Sequence, residues 1–198
     1  MMLKDLVEKN RSVRRFRQDQ TIPMDILKEL IALARLCPSS ANRQPLKYVL
    51  CNDAKINAGI FEHLAWAGYL RDWPGPQEGE RPAAYIIICG DHNITSKFGC
   101  DHGIAAQTIM LGAVEKGLSG CIIGSIKKDA LSNFLNLNDN LEILLVLALG
   151  VAREKVVIEA LPDSKSIEYW RDNEGVHHVP KRQLDELIVH CYKTAIEG

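Results

Sequence analysis

Apolar residues recur at helical spacing early in the chain, where Ile26, Leu27, Leu30, Ile31, Ala34 and Leu36 fall near one face. Pro23 suits the start of this helix, since a missing N–H costs nothing at the first helical position. Pro38 stops it, so a helix over 23–36 is predicted. A shorter helix over 3–9 precedes it. LKYVLC at 46–51 has the β-branched and aromatic character of a strand, and Asp53 stands where it can cap a helix over 54–64. AAYIIIC at 83–89 reads as a buried strand. CIIGSI at 121–126 and LEILLVLALGV at 141–151 read as two more, with a helix over 129–135 between them. The segment 101–118, DHGIAAQTIMLGAVEKGL, is apolar nearly all round. It predicts a helix at the centre of the protein or against another subunit, stopped by Gly117. Further on, IEYWRDNEGVHHV predicts a hairpin turning at 172–175, and RQLDELIVHCYKTAIE a closing amphipathic helix.

Two segments break this regularity. Residues 66–82, WAGYLRDWPGPQEGERP, are rich in Gly and Pro yet carry Trp66, Tyr69 and Trp73. A long loop of this kind often has a functional reason to exist. Residues 38–45, PSSANRQP, place two hydroxyls, two carboxamides and a guanidinium between two prolines. The ordinary reading is a polar connector. A stiff loop so rich in hydrogen-bonding groups also suits a polar planar ligand. No repeat or interdomain linker appears, so one α+β domain over 1–198 is expected.

The chain has 198 residues, of which 46% are hydrophobic, and a formal charge of −1. That charge offers no drive toward nucleic acid or an anionic membrane. The longest apolar run, 143–151, is too short to span a bilayer. Lys4, Asp5, Glu8 and Lys9 leave no secretory core at the start. Six cysteines, mostly in apolar segments and without a CxxC pair, read as reduced thiols and predict a cytoplasmic protein.

The chain has no GxSxG, no P-loop and no GxGxxG between a strand and a helix. Cys89, Asp91, His92, Cys100, Asp101 and His102 lie close in sequence, but at no familiar zinc spacing, so no metal is expected. His177 and His178 are adjacent and would point to opposite faces of a strand. NRSVRRF at 10–16 places Arg11 and Arg14 around Ser12, which reads by itself as an ordinary basic surface turn, although two guanidinium forks and a hydroxyl also suit a phosphate.

Taken in order, RSVRRF, CPSSANRQP, DHGIAAQTIMLGAVEKGLSGCIIGSI, LALGVAREK and VPKRQLDELI resemble the FMN-dependent nitroreductase family over nearly the whole chain. The resemblance implies an α+β fold with a central, mostly antiparallel sheet flanked by helices, forming a homodimer with FMN at its interface. Pro38, Ser39, Ser40 and Asn42 would then touch the flavin bound to the neighbouring subunit. Arg11, Ser12 and Arg14 would take the phosphate and nearby polar atoms, and Lys181 and Arg182 would close on it. Ile123, Gly124 and Ser125 would run past the reactive side of the ring, Gly124 letting the backbone come close. NADH or NADPH would be the electron donor in a ping-pong cycle reducing nitroaromatics, quinones or similar electrophiles. Alternatives are a specialised flavoenzyme acting on another metabolite, or a flavin-binding module without turnover. Leu46 stands where the family commonly has Trp, and 66–82 falls where its members differ most.

Overall fold

Every position of the strand Ala84–Asp91 is buried, because it lies mid-sheet with helices on both faces. The computed structural model describes residues 2–161 and 166–193. In chain order the elements are α1 (Leu3–Lys9), α2 (Met24–Ala34), β1 (Leu46–Cys51), α3 (Ala54–Phe61), β2 (Ala84–Asp91), α4 (Asp101–Glu115), β3 (Ser119–Ile123), α5 (Lys128–Phe134), β4 (Leu141–Gly150), β5 (Val156–Ala160), β6 (Trp170–Arg171), β7 (His177–Lys181) and α6 (Leu184–Leu187). They fall into two compact units, Met1–Glu154 and Lys155–Gly198. No composition shift marks that division in the sequence.

In the first unit the sheet runs β1-β2-β4-β3, and every pairing is antiparallel. The two-residue alternation of a strand sends Ile86, Ile88, Leu147 and Leu149 to one side. There they meet Leu27 and Leu30 of α2 and Ala106, Ile109 and Met110 of α4. Tyr85, Ile87, Val146 and Ala148 face the other way, onto Ile60 of α3 and Leu131 of α5. Sequence and structure agree on this α+β arrangement.

Several element ends differ from the sequence reading for local reasons. β3 stops at Ile123, not at 126, because the chain leaves β4 there: Ser125 accepts from the Ala65 N–H at 2.9 Å and Ile126 bridges Leu64. α4 ends at Glu115, where Gly117 takes φ +76° and the Leu118 N–H turns back to the Ala113 carbonyl at 2.8 Å. α4 also buries only one face: Ala105, Ala106, Ile109 and Met110 are inside, whereas Gly103, Ile104 and Gln107 are exposed. Asp53 caps α3 as expected, accepting from the Lys55 and Ile56 N–H groups at 2.9 Å.

The second unit is a three-stranded sheet in which β7 pairs parallel with β5 and antiparallel with β6. The hairpin turn at 172–175 is present. Asp172 accepts from the Glu174 and Val176 N–H groups at 2.9 and 2.8 Å, and Gly175 takes φ +79°. The sequence reading missed β5, a five-residue strand whose partner lies some twenty positions away. It also overextended the last helix. Only Leu184–Leu187 is helical, 188–193 is not, and the remainder of the expected helix lies outside the described residues. Leu184, Leu187, Val189 and Tyr192 are exposed, and an amphipathic stripe left unburied contributes little to holding a helix.

His177 and His178 do face opposite ways. His177 is fully buried, while the His178 ring stacks on Trp170 at 4.0 Å between two carboxylates. Its Nε2 lies 3.1 Å from Asp172 Oδ2 and its Nδ1 pairs with Glu159. Asp172 first, then Glu159, raise the His178 pKa above its ordinary value. A raised folded-state pKa gives stability that is full below the ordinary value, about 6.5, and is lost as pH rises through the folded value. The thermal midpoint should therefore fall as pH climbs above that range, and His178→Gln should flatten this limb. Parallel profiles for the two proteins would contradict this reading.

Candidate functional site

Ser12 forms a parallel bridge with Gly120, and the Val13 N–H donates to the Gly120 carbonyl at 2.9 Å. This lays the Arg11–Ser12 segment directly along β3. Only glycine fits at 120, because a Cβ there would stand 2.4 Å from the Ala148 carbonyl oxygen of the paired strand. Arg11, Ser12, Gln107, Gly120 and Ile122 bound a pocket of about 130 Å³. Arg11 donates through Nη2 to the Val7 carbonyl at 2.8 Å, while its buried Nε has no hydrogen-bond partner. A buried guanidinium N–H left unpaired is costly, and an anion at this pocket would remove the cost.

Arg14 turns inward: its side chain is buried and its Nη1 reaches the Ser12 carbonyl at 3.3 Å. The N–H groups of Arg14 and Arg15 both donate to Glu154 Oε1, at 2.5 and 3.1 Å. Burial pushes the neighbouring Cys121 thiol up, against the opposing pull of the Arg14 charge. Next along, Arg15 grips the buried Glu80 carboxylate through two bonds of 2.7 and 2.5 Å.

The 38–45 segment turns at the N-terminal end of α4. Ser39 donates its hydroxyl to Asp101 Oδ2 at 2.6 Å and accepts from the Gln44 N–H at 2.9 Å. The Ser40 N–H donates to Asp101 Oδ1 at 3.0 Å. Ala41, Asn42 and Gln44 all take left-handed backbone conformations, with φ of 50°, 52° and 50°. Pro38, Ser40 and Asn42 are exposed. Strain of this kind in non-glycine residues gathers at binding and switch loops.

The nitroreductase family model matches residues 7–151. This chain belongs to the nitroreductase family. It is 25% identical over 200 residues to a 4-nitrobenzoate reductase of Pseudomonas putida, covering 79% of this chain and 88% of that protein. A chloronitrobenzene nitroreductase of Comamonas testosteroni is 24% identical over 209 residues, covering 81% and 91%. Among solved structures, an FMN-dependent nitroreductase of Clostridium difficile superposes with a TM-score of 0.65 at 19% identity, covering 83% of this chain and 94% of that one. That superposition establishes the nitroreductase fold.

The other positions expected from the family resemblance are spread more widely. Ile123 is buried at the end of β3, and Gly124 and Ser125 are exposed just beyond it. A Cβ at Gly124 would meet nothing closer than Leu145 at 3.9 Å. The close backbone approach within the chain therefore belongs to Gly120. Lys181 ends β7 in the second unit, and Arg182 follows it, with Nη1 3.4 Å from Glu186 Oε2. In the 66–82 segment, Trp66 is buried 5.6 Å from the Phe61 ring and packs over Gly75, whereas Tyr69 is exposed. Trp66 is thus part of the core.

The Cys/His-rich stretch is dispersed. Cys89 is buried in β2 with its thiol pushed up to about 11 by burial, and His92 lies 3.3 Å from Glu142. Among the described residues no group of three or more His, Cys, Asp or Glu side chains is placed to hold a metal ion. Sequence reasoning missed Gly120, Gln107 and Glu154. It noticed Asp101 only for a metal. The useful signal for Asp101 was its position, an acid opening an otherwise apolar helix.

Proposed function

We propose that this chain is an FMN-dependent oxidoreductase that takes electrons from NADH or NADPH to reduce nitroaromatics, quinones or similar electrophiles. The observation that carries this reading is the Arg11 Nε–H, buried without a hydrogen-bond partner in a half-buried side chain that lines a pocket together with Ser12. An FMN phosphate carries about two negative charges, and it supplies the acceptor that this donor lacks. The names of the nitrobenzoate and chloronitrobenzene reductases, and of the FMN-dependent structural relative, point the same way.

In this reading Arg11, Ser12 and Arg14 hold the phosphate end. Ile123, Gly124 and Ser125 border the ring, with main-chain groups free of side-chain bulk at Gly124. Ser40 and Asn42 present short polar groups, and Pro38 an apolar ring, to the flavin of a second subunit, and Ser39 holds their loop in place. When bound, FMN would supply two-electron redox chemistry between a nicotinamide donor and the electrophile, consistent with a ping-pong cycle. The protein contributes position and electrostatics, and no side chain is assigned as acid or base. Titration of the apoprotein with FMN, followed by quenching of flavin fluorescence, should saturate at one FMN per chain. Absence of saturable binding would overturn the proposal.

A homodimer follows from the same reading, since a flavin site that needs a neighbour's loop is incomplete in one chain. On the exposed face of α4, Gly103 is small and Ile104 apolar, which suits close approach, and Gln107 adds a carboxamide. Sedimentation equilibrium should give twice the chain mass. A stable monomer that binds FMN tightly would contradict it.

A further inference from the structure

We infer that Asp101 is a positioning residue for the cofactor: its carboxylate clasps the 39–44 loop in the strained shape that meets the flavin. This inference rests on the FMN reading above. Asp101 is the first residue of α4 and only 6% exposed, so its carboxylate is fixed by a rigid element rather than by the loop. One oxygen takes the Ser39 hydroxyl at 2.6 Å and the other the Ser40 N–H at 3.0 Å. Ser39 relays the hold by accepting the Gln44 N–H at 2.9 Å, so both ends of the turn are tied to one side chain.

Packing does little to hold this loop. Ala41, Asn42, Arg43 and Gln44 are exposed. Behind it lies a cavity of about 210 Å³, bounded by Pro38, Ser39, Gln44, Tyr48 and Asp101 among others. The three left-handed residues oppose this shape, since a side chain at positive φ favours relaxation to ordinary backbone. Hydrogen bonds to an ionised carboxylate are roughly twice as strong as neutral ones, and two of them join α4 to the loop. Removing the carboxylate should leave the sheet intact and free the loop.

The test compares wild type, Asp101→Ala and Asp101→Asn by two readouts. The first is tryptic cleavage after Arg43, measured on apoprotein, which needs no flavin. The second is the FMN dissociation constant. Losing two charge-assisted bonds should speed Arg43 cleavage and weaken FMN binding by at least about tenfold in Asp101→Ala. Asp101→Asn keeps one acceptor and should fall between, with a thermal midpoint close to wild type. If Asp101→Ala does not fold, Asp101→Asn alone decides, by the same two shifts. Unchanged cleavage in a folded variant overturns the clasp. Faster cleavage with unchanged FMN affinity overturns the positioning role. Failure of the wild type to bind FMN would instead remove the proposed function, while cleavage still reports on the clasp.

Discussion

Glu80→Ala is expected to lower the thermal midpoint by roughly 6–12 °C, from a loss of about 3 kcal/mol in a chain of this size. Glu80 is only 3% exposed, although it ends the most irregular segment of the chain. Arg15 holds its carboxylate through two bonds of 2.7 and 2.5 Å, and Arg153 approaches at 3.6 Å. The Phe16 N–H donates to the Glu80 carbonyl at 2.8 Å, and Gln18 Oε1 accepts from the N–H groups of Gly79 and Arg81 at 2.7 and 3.1 Å. This network ties residues 79–81 to 15–18. Removing the carboxylate strands a partly buried guanidinium, which costs more than the pair contributes when intact. The Arg15 side chain keeps 29% exposure, so the loss belongs at the lower end of the range for buried pairs. Glu80→Gln should lose less, because it keeps an acceptor. A midpoint for Glu80→Ala within about 2 °C of wild type would show the network to be an ordinary surface pair.

Arg11→Ala should weaken FMN binding roughly tenfold to a hundredfold, the value of one charge-assisted hydrogen bond of about 1.5–3 kcal/mol. Directed geometry, rather than local positive charge, sets this effect. Arg17, in the same basic run, is exposed and serves as the control. If a basic surface turn merely attracted the phosphate at long range, Arg11→Ala and Arg17→Ala would lose equal, salt-sensitive amounts. If Arg11 supplies a directed donor, only Arg11→Ala loses affinity, and isothermal titration at two salt concentrations separates the cases. An unchanged dissociation constant for Arg11→Ala would remove this residue from the site.

These two residues also show what the sequence could and could not disclose. Runs such as 84–88 and 143–149, apolar at nearly every position, leave a chain few options except mid-sheet strands, and β2 and β4 were legible for that reason. Arg11 and Ser12 were legible as a phosphate-like pattern. Their seat beside Gly120 was not, because it depends on a bridge between segments more than a hundred positions apart. The same holds for the Ser39–Asp101 bond, which joins residues 62 positions apart. The proline-bounded 38–45 loop was visible as a stiff polar segment, but positive φ at Ala41 and Gln44 has no local signature, unlike Asn42. β5 escaped because a short edge strand containing Glu159 shows no strong alternation. The last helix was overread because periodicity reports an apolar stripe without saying whether the chain offers it a surface.

Anaerobic titration of the purified protein with NADH and then NADPH tests the central claim most directly. The account predicts a yellow protein with an absorbance band near about 450 nm that bleaches on addition of one of the two nucleotides. The band should return when a nitroaromatic or quinone is added. A colourless protein that takes up no FMN, or a flavin band that neither nucleotide bleaches, would contradict it.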